Sequence, residues 1–163
     1  MSTAPTELER LVRLSAALTG VSGSQLKPAL DPIGIAGQYL RTLQGAVGAG
    51  ALGDIFTAFE QASTSHGTDA AAGAVLDDPV HGPVCRSVIK LWLLGAWYDP
   101  LKPGPAVNVV SAQSYKESLV WKVMQSHPMG YSVWEFGYWA EQPPSLDQFI
   151  TFDTTDQNGG AGA

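Results

Sequence analysis

Charge is what this chain has least of. Only 15% of its 163 residues are Asp, Glu, Lys or Arg, against about 25% in an average soluble domain. A folded chain of 17.2 kDa exposes on the order of 7,800 Å². Its 9 basic and 15 acidic residues therefore leave roughly 320 Å² of surface per charge, the size at which exposed apolar surface begins to signal a partner. A self-sufficient monomer is not the expected state. Cysteine is nearly absent as well: Cys85 stands alone, which excludes an internal disulfide and any cysteine-built zinc site or iron–sulfur cluster. No Lys/Arg cluster exists and the formal charge is −6, so no basic stripe is there to release counterions from phosphates, and neither nucleic acid nor an anionic membrane surface is the expected partner. The densest apolar run, Val88 to Tyr98, is interrupted by Lys90 and is much shorter than the roughly 20 residues of a membrane span. Residues Met1-Ser2-Thr3-Ala4-Pro5 contain neither a basic n-region, an apolar h-region nor a twin arginine, so the expectation is a cytoplasmic chain or one separated from its export signal.

What is present reads as helix. Thr6-Glu7-Leu8-Glu9 has capping-box spacing; Leu8, Leu11, Val12, Ser15 and Leu18 share a face, and Gly20 terminates it. Asp31-Pro32 opens a second helix expected to run to Ala46, with Gly34 and Gly37 inside it. Each of those glycines costs about 1 kcal/mol relative to Ala, a cost explained either by close backbone packing or by a weak helix. Gly45 to Gly53 reads as a connection, Asp54 to Ala62 as a short third helix, and Ser63 to Gly67 as a break. Thr68 to Leu76 is Ala-rich and helical. Pro83 opens the strongest helix, apolar nearly all round as far as Tyr98, as expected of a central helix. The proline-rich stretch Asp99 to Pro105 stops it, and Val107 to Val110 is long enough only for a short extended piece. Ser114-Tyr115-Lys116-Glu117 repeats the capping-box spacing and predicts an amphipathic helix carrying Leu119, Val120, Val123 and Met124 to about Gln125, closed by His127-Pro128.

From Met129 no period is visible. Tyr131, Trp134, Phe136, Tyr138, Trp139, Phe149 and Phe152 nevertheless fall in this stretch, and twelve of the fifteen aromatics lie between Trp92 and Phe152. Aromatics on irregular segments are interface anchors, so these seven form the candidate partner interface, whereas Trp92, Trp97 and Trp121 are assigned to core packing. Thr154 to Ala163 is polar and Gly-rich. The sequence thus predicts an all-α fold, an irregular helical bundle with an extended aromatic-rich C-terminal segment. Its divisions are a helical body over 1–128, an aromatic partner-binding segment over 129–152, and a Gly-rich polar tail over 153–163.

No catalytic constellation emerges. His66, His81 and His127 stand apart from other ligand types, so no metal site is expected. No Gly-x-Ser-x-Gly elbow places a serine on a strained turn. Cys85, between Val84 and Arg86 on the central helix, reads as a buried structural thiol rather than a nucleophile. Glu135 with Glu141, and Asp77 with Asp78, lack the contrast of apolar and solvated surroundings that acid/base work needs. Gly45 to Gly53 lacks the Gly-Lys-Ser/Thr ending of a phosphate loop, and no dinucleotide fingerprint is present.

Four runs in order carry a resemblance: Leu14-Ser15-Ala16-Ala17-Leu18-Thr19-Gly20; Trp97-Tyr98; Val109-Val110 followed by Tyr115-Lys116-Glu117-Ser118-Leu119; and Gly137-Tyr138-Trp139-Ala140-Glu141-Gln142-Pro143. From about Leu8 to Pro143 the chain resembles the small, non-flavin subunit of FAD-dependent sugar and polyol dehydrogenase complexes, such as the sorbitol, fructose and glucose dehydrogenases, and the related third subunit of gluconate 2-dehydrogenase. The resemblance implies a non-catalytic helical accessory subunit, with no cofactor of its own, that stabilises a large flavoprotein subunit of the glucose-methanol-choline oxidoreductase fold. That subunit would carry FAD, often with an Fe–S cluster, and pass electrons in some complexes to a cytochrome c subunit. It also implies a periplasmic location, since the small subunit in this family helps export the large one through a twin-arginine signal that residues 1–7 do not contain. Several relatives carry a cysteine just before the Gly-aromatic-Trp segment, where this chain has Ser126-His127-Pro128, so association there is expected to be noncovalent. The alternatives are an independent small helical ligand-binding or hydrolytic domain, and a scaffold for an unrelated complex.

Overall fold

The computed structural model describes residues 4–102, 108–126 and 128–129. Over these the protein is mostly helical, with eight helices and a single two-stranded ribbon. Helix α1 (Glu7–Thr19) starts where the capping-box spacing places it: the Thr6 hydroxyl accepts from the Glu9 N–H while the Glu9 carboxylate accepts from the Thr6 N–H. It ends at Gly20. A single turn, α2 (Gly23–Leu26), seats Leu26 in the core.

Helix α3 (Ile35–Val47) begins three residues later than Asp31-Pro32 suggested. The Asp31 carboxylate accepts from the Gly34 N–H at 2.7 Å and so closes a turn ahead of the helix instead of capping it. The expected connection over Gly45 to Gly53 shrinks to one residue, because α4 (Ala49–His66) starts directly after Gly48 and runs through the expected break. The polar residues there stay helical by bonding backward, Thr64 Oγ1 donating to the Glu60 carbonyl and Ser65 Oγ to the Gln61 carbonyl. Gly67 alone separates α4 from α5 (Thr68–Asp77). Gly48 and Gly67 have φ of 86° and 83°, a conformation open to glycine and strained for other residues, which is how one residue suffices to redirect each helix.

Helix α6 (Gly82–Leu94) is the central one, packed on α1, α5 and α8. It stops at Gly95, earlier than the apolar run suggested. Ala96–Trp97 leave the helix as strand β1, antiparallel to β2 (Asn108–Val109) with Ala96 opposite Val109 and Trp97 opposite Asn108. The last helix of the sequence reading is two: α7 (Ala112–Lys116) and α8 (Leu119–Val123). Ser111, not Ser114, caps α7, its hydroxyl accepting from the Ser114 N–H while Ser114 Oγ accepts from the Ser111 N–H.

The core joins Leu11 and Leu14 of α1, Tyr39 and Leu43 of α3, Phe56 of α4, and Cys85, Val88 and Leu91 of α6. Trp92 is buried as expected, its ring edge-on to Tyr39 with centroids 4.8 Å apart, a geometry adding about 0.5–1.5 kcal/mol to area burial. Its indole N–H donates to Ser15 Oγ at 2.8 Å, so the buried polar position of α1 satisfies the buried polar atom of α6. Arg10 ties α1 to α4 by donating to both carboxylate oxygens of Glu60 at 2.8 Å while lying over the Phe56 ring. The division at residue 128 falls at the edge of the described residues, and nearly all of 129–152, with all of 153–163, lies outside them.

Candidate partner-binding surface

Gly95 organises the C-terminal end of the body. Its φ of 66° turns the chain out of α6, and its carbonyl accepts from Ser114 Oγ at 2.8 Å and from the Val110 N–H at 3.2 Å. Ribbon, α7 and α6 thus meet on one peptide. A Cβ at residue 95 would fall inside van der Waals contact with the Ser114 carbonyl oxygen and 2.9 Å from the Tyr115 nitrogen, so only glycine permits this approach. Ser111 Oγ donates to Gln38 Oε1 at 2.9 Å, anchoring α7 to α3.

The stretch 94–129 presents apolar side chains outward. Leu101 is 74% exposed, Val123 50%, Met124 61% and Met129 73%, and Leu94 and Val109 are also exposed. Six of the nine exposed large apolar side chains among the described residues therefore lie in the stretch 94–129, which supplies only a quarter of those residues. The expected amphipathic helix would have buried Val123 and Met124 beside Leu119. The break at Glu117–Ser118 leaves a five-residue helix, too short to turn more than one row of side chains inward, so Leu119 is buried and the other two are not. The feature that separates them is the Glu117-Ser118 pair: Ser118 Oγ donates to the Tyr115 carbonyl, capping α7 from behind. Trp121 is only half-buried, a correction to its core assignment. Its ring packs edge-on against Tyr115 and its N–H donates to the Tyr115 carbonyl at 2.8 Å.

Tyr131, Trp134, Phe136, Tyr138, Trp139, Phe149 and Phe152 lie outside the described residues, as do Glu135, Glu141 and His127. The exposed Met129 is the last described residue before that segment in the sequence. The remaining sequence candidates are separated: His66 ends α4, whereas His81 precedes α6 with its Nδ1 3.3 Å from Asp78 Oδ1. Asp78 accepts from the His81 and Val80 N–H groups, which holds its carboxyl below its ordinary value and fits it to a turn rather than to proton donation. Cys85 is fully buried, and desolvation pushes its thiol up to about 11, the opposite of what a nucleophile requires. Among the described residues no group of three or more His, Cys, Asp or Glu side chains is placed to hold a metal ion, and no helix is long and apolar enough to cross a membrane.

Scans of protein-family models and of curated proteins returned no match to this chain.

Proposed function

We propose that this chain is a non-catalytic accessory subunit that stabilises a large FAD-dependent sugar or glycoside dehydrogenase subunit of the glucose-methanol-choline oxidoreductase fold. The observation that supports this reading best is the concentration of exposed apolar side chains on residues 94–129, directly before a segment holding seven large aromatics. In this reading the helical bundle is a rigid base, the α8 end is the seat, and an extended C-terminal segment clamps the partner through Tyr131, Trp134, Phe136, Tyr138, Trp139, Phe149 and Phe152.

FAD belongs in the partner. Among the described residues the positive-φ glycines all stand at helix ends, and no strand leads through a glycine-rich turn into a helix that would hold a pyrophosphate. Residues of this chain therefore bind and orient the flavoprotein and leave proton and hydride transfer to it. An Fe–S cluster and a cytochrome c subunit, if the complex carries them, likewise belong to other chains. Export of the large subunit and a periplasmic location form part of the same proposal.

Copurification from the native host tests it. The tagged chain is expected to bring down a large subunit with stoichiometric flavin absorbance, while the chain purified alone shows none. Truncating Trp134, Tyr138 or Trp139 to alanine should each weaken the complex by roughly 2 kcal/mol, about thirtyfold in Kd. Deleting Tyr131 to Ala163 should abolish capture while helical circular dichroism is retained. Flavin bound to the isolated chain, or loss of the helical signal on deletion, would overturn the assignment.

A further inference from the structure

The sulfur atoms of this chain are sorted by exposure. Cys85 is fully buried in α6, where desolvation pushes its thiol from 9.0 up to about 11. At neutral pH it therefore holds about a hundredfold less thiolate than an ordinary cysteine, and thiolate is the form that peroxides attack. Met124 and Met129 are the opposite case, 61% and 73% exposed, and a thioether needs no deprotonation to react. Met1, which carries the remaining sulfur, lies outside the described residues.

Neither exposed methionine is held by its side chain. Both follow Leu119, the last member of the buried cluster. Met124 ends α8 through its backbone, its N–H donating to the Val120 carbonyl at 2.8 Å. An oxygen added to either sulfur enters exposed surroundings, so the helical body keeps its packing. What changes is polarity, because a sulfoxide turns a flexible apolar side chain into a polar, chiral one. Two of the six large apolar side chains exposed on 94–129 lose their apolar character in this way.

We propose that Met124 and Met129 form a reversible oxidation site for hydroperoxides, through which the exposed stretch is converted from apolar to polar while the fold is kept. The sulfur lone pair attacks the terminal peroxide oxygen. An S–O bond forms, the O–O bond breaks, and the departing oxygen leaves as water or an alcohol, taking the proton of the transferred oxygen. The thioether gives up two electrons and the peroxide receives them. Return consumes two thiols, which become a disulfide while the sulfoxide oxygen leaves as water. The chain's single thiol, Cys85, is buried, so that reductant is a separate enzyme of the methionine sulfoxide reductase class. No partner subunit takes part, so this chemistry goes beyond the accessory-subunit reading and does not require it.

In the experiment, the full-length chain is treated with hydrogen peroxide beside N-acetylmethionine amide in the same solution, and peptide mass mapping follows each sulfur. Met124 and Met129 should each gain one oxygen at a rate within about threefold of the free reference, with Cys85 unmodified. Helical circular dichroism and the urea midpoint should stay unchanged while retention on a phenyl column falls. Methionine sulfoxide reductase with dithiothreitol should restore that retention. Met124→Leu with Met129→Leu should bind the column as the parent does and keep most of its retention after peroxide treatment. Oxidation of either methionine about tenfold or more below the reference rate would overturn the proposal. So would earlier modification of Cys85, loss of the helical signal on oxidation, or an equal fall in retention for the double leucine variant, which would place the reactive group elsewhere.

Discussion

Replacing Gly95 by alanine should damage one end of the molecule and spare the other. Alanine at φ 66° costs about 1–2 kcal/mol for the left-handed backbone alone. Its Cβ also meets the carbonyl of Ser114 and the nitrogen of Tyr115. These are backbone atoms that can retreat only by lengthening the bonds from Ser114 Oγ and the Val110 N–H to the Gly95 carbonyl. Two weakened hydrogen bonds at about 1 kcal/mol each bring the total to roughly 3–4 kcal/mol. For a chain of this length that lowers the melting midpoint by roughly 6–16 °C. Thermal unfolding followed by far-ultraviolet circular dichroism reads the total. Amide hydrogen exchange reads the location, with protection lost first over 108–126 and retained in α1, α3 and α4. A midpoint within about 2 °C of the parent protein, or uniform loss of protection, would refute the argument that Gly95 is the point where ribbon and α7 are fastened to α6.

Gly73, inside α5 with open space where a Cβ would stand, provides the opposite sign: Gly73→Ala should stabilise the protein by about 0.5–1 kcal/mol in urea titration. Ser15→Ala removes the acceptor of the buried Trp92 indole N–H and should cost about 1–3 kcal/mol by the same titration, with a change in Trp92 emission. Cys85 should resist thiol reagents at pH 8 in the native state and react only on unfolding. Because its folded thiol is raised from the ordinary 9.0 to about 11, the unfolded chain loses its proton first. The associated stability is full below pH 9 and should decline between pH 9 and 11, as urea midpoints across that range will show.

Where structure is set by neighbours in sequence, the sequence is a sound guide. The Thr6–Glu9 box, the stop at Gly20, and the burial of Cys85, Trp92 and Trp97 all follow from spacing and composition, and the structure places them as expected. Misreadings arise where a residue serves two purposes. Glycines between Gly45 and Gly53 look like one loop, yet only Gly48 takes a positive φ, and its neighbours continue helices whose tertiary packing outweighs propensity. Ser63 to Gly67 look like a break, but the hydroxyls of Thr64 and Ser65 bond back within α4, which runs on to His66. The outward face of α8 was hidden for a different reason. Leu119, Val120, Val123 and Met124 have the spacing of a buried helical stripe, and only the turn at Ser118, held by a bond to the Tyr115 carbonyl, shows that the stripe is cut. The aromatic segment was legible as composition, and its seven large aromatic residues lie outside the described residues.

The sequence order of the core has a consequence for the timing of synthesis. Every member of the main buried cluster except Leu119 falls between Leu11 and Trp97, so a nascent chain holds nearly its whole interior before the exposed end has been translated. At about 5–20 residues per second, the ribosome needs roughly 2–6 s more to add residues 98–129. The stretch 98–129, with its exposed apolar side chains, therefore emerges after nearly all the residues of that interior.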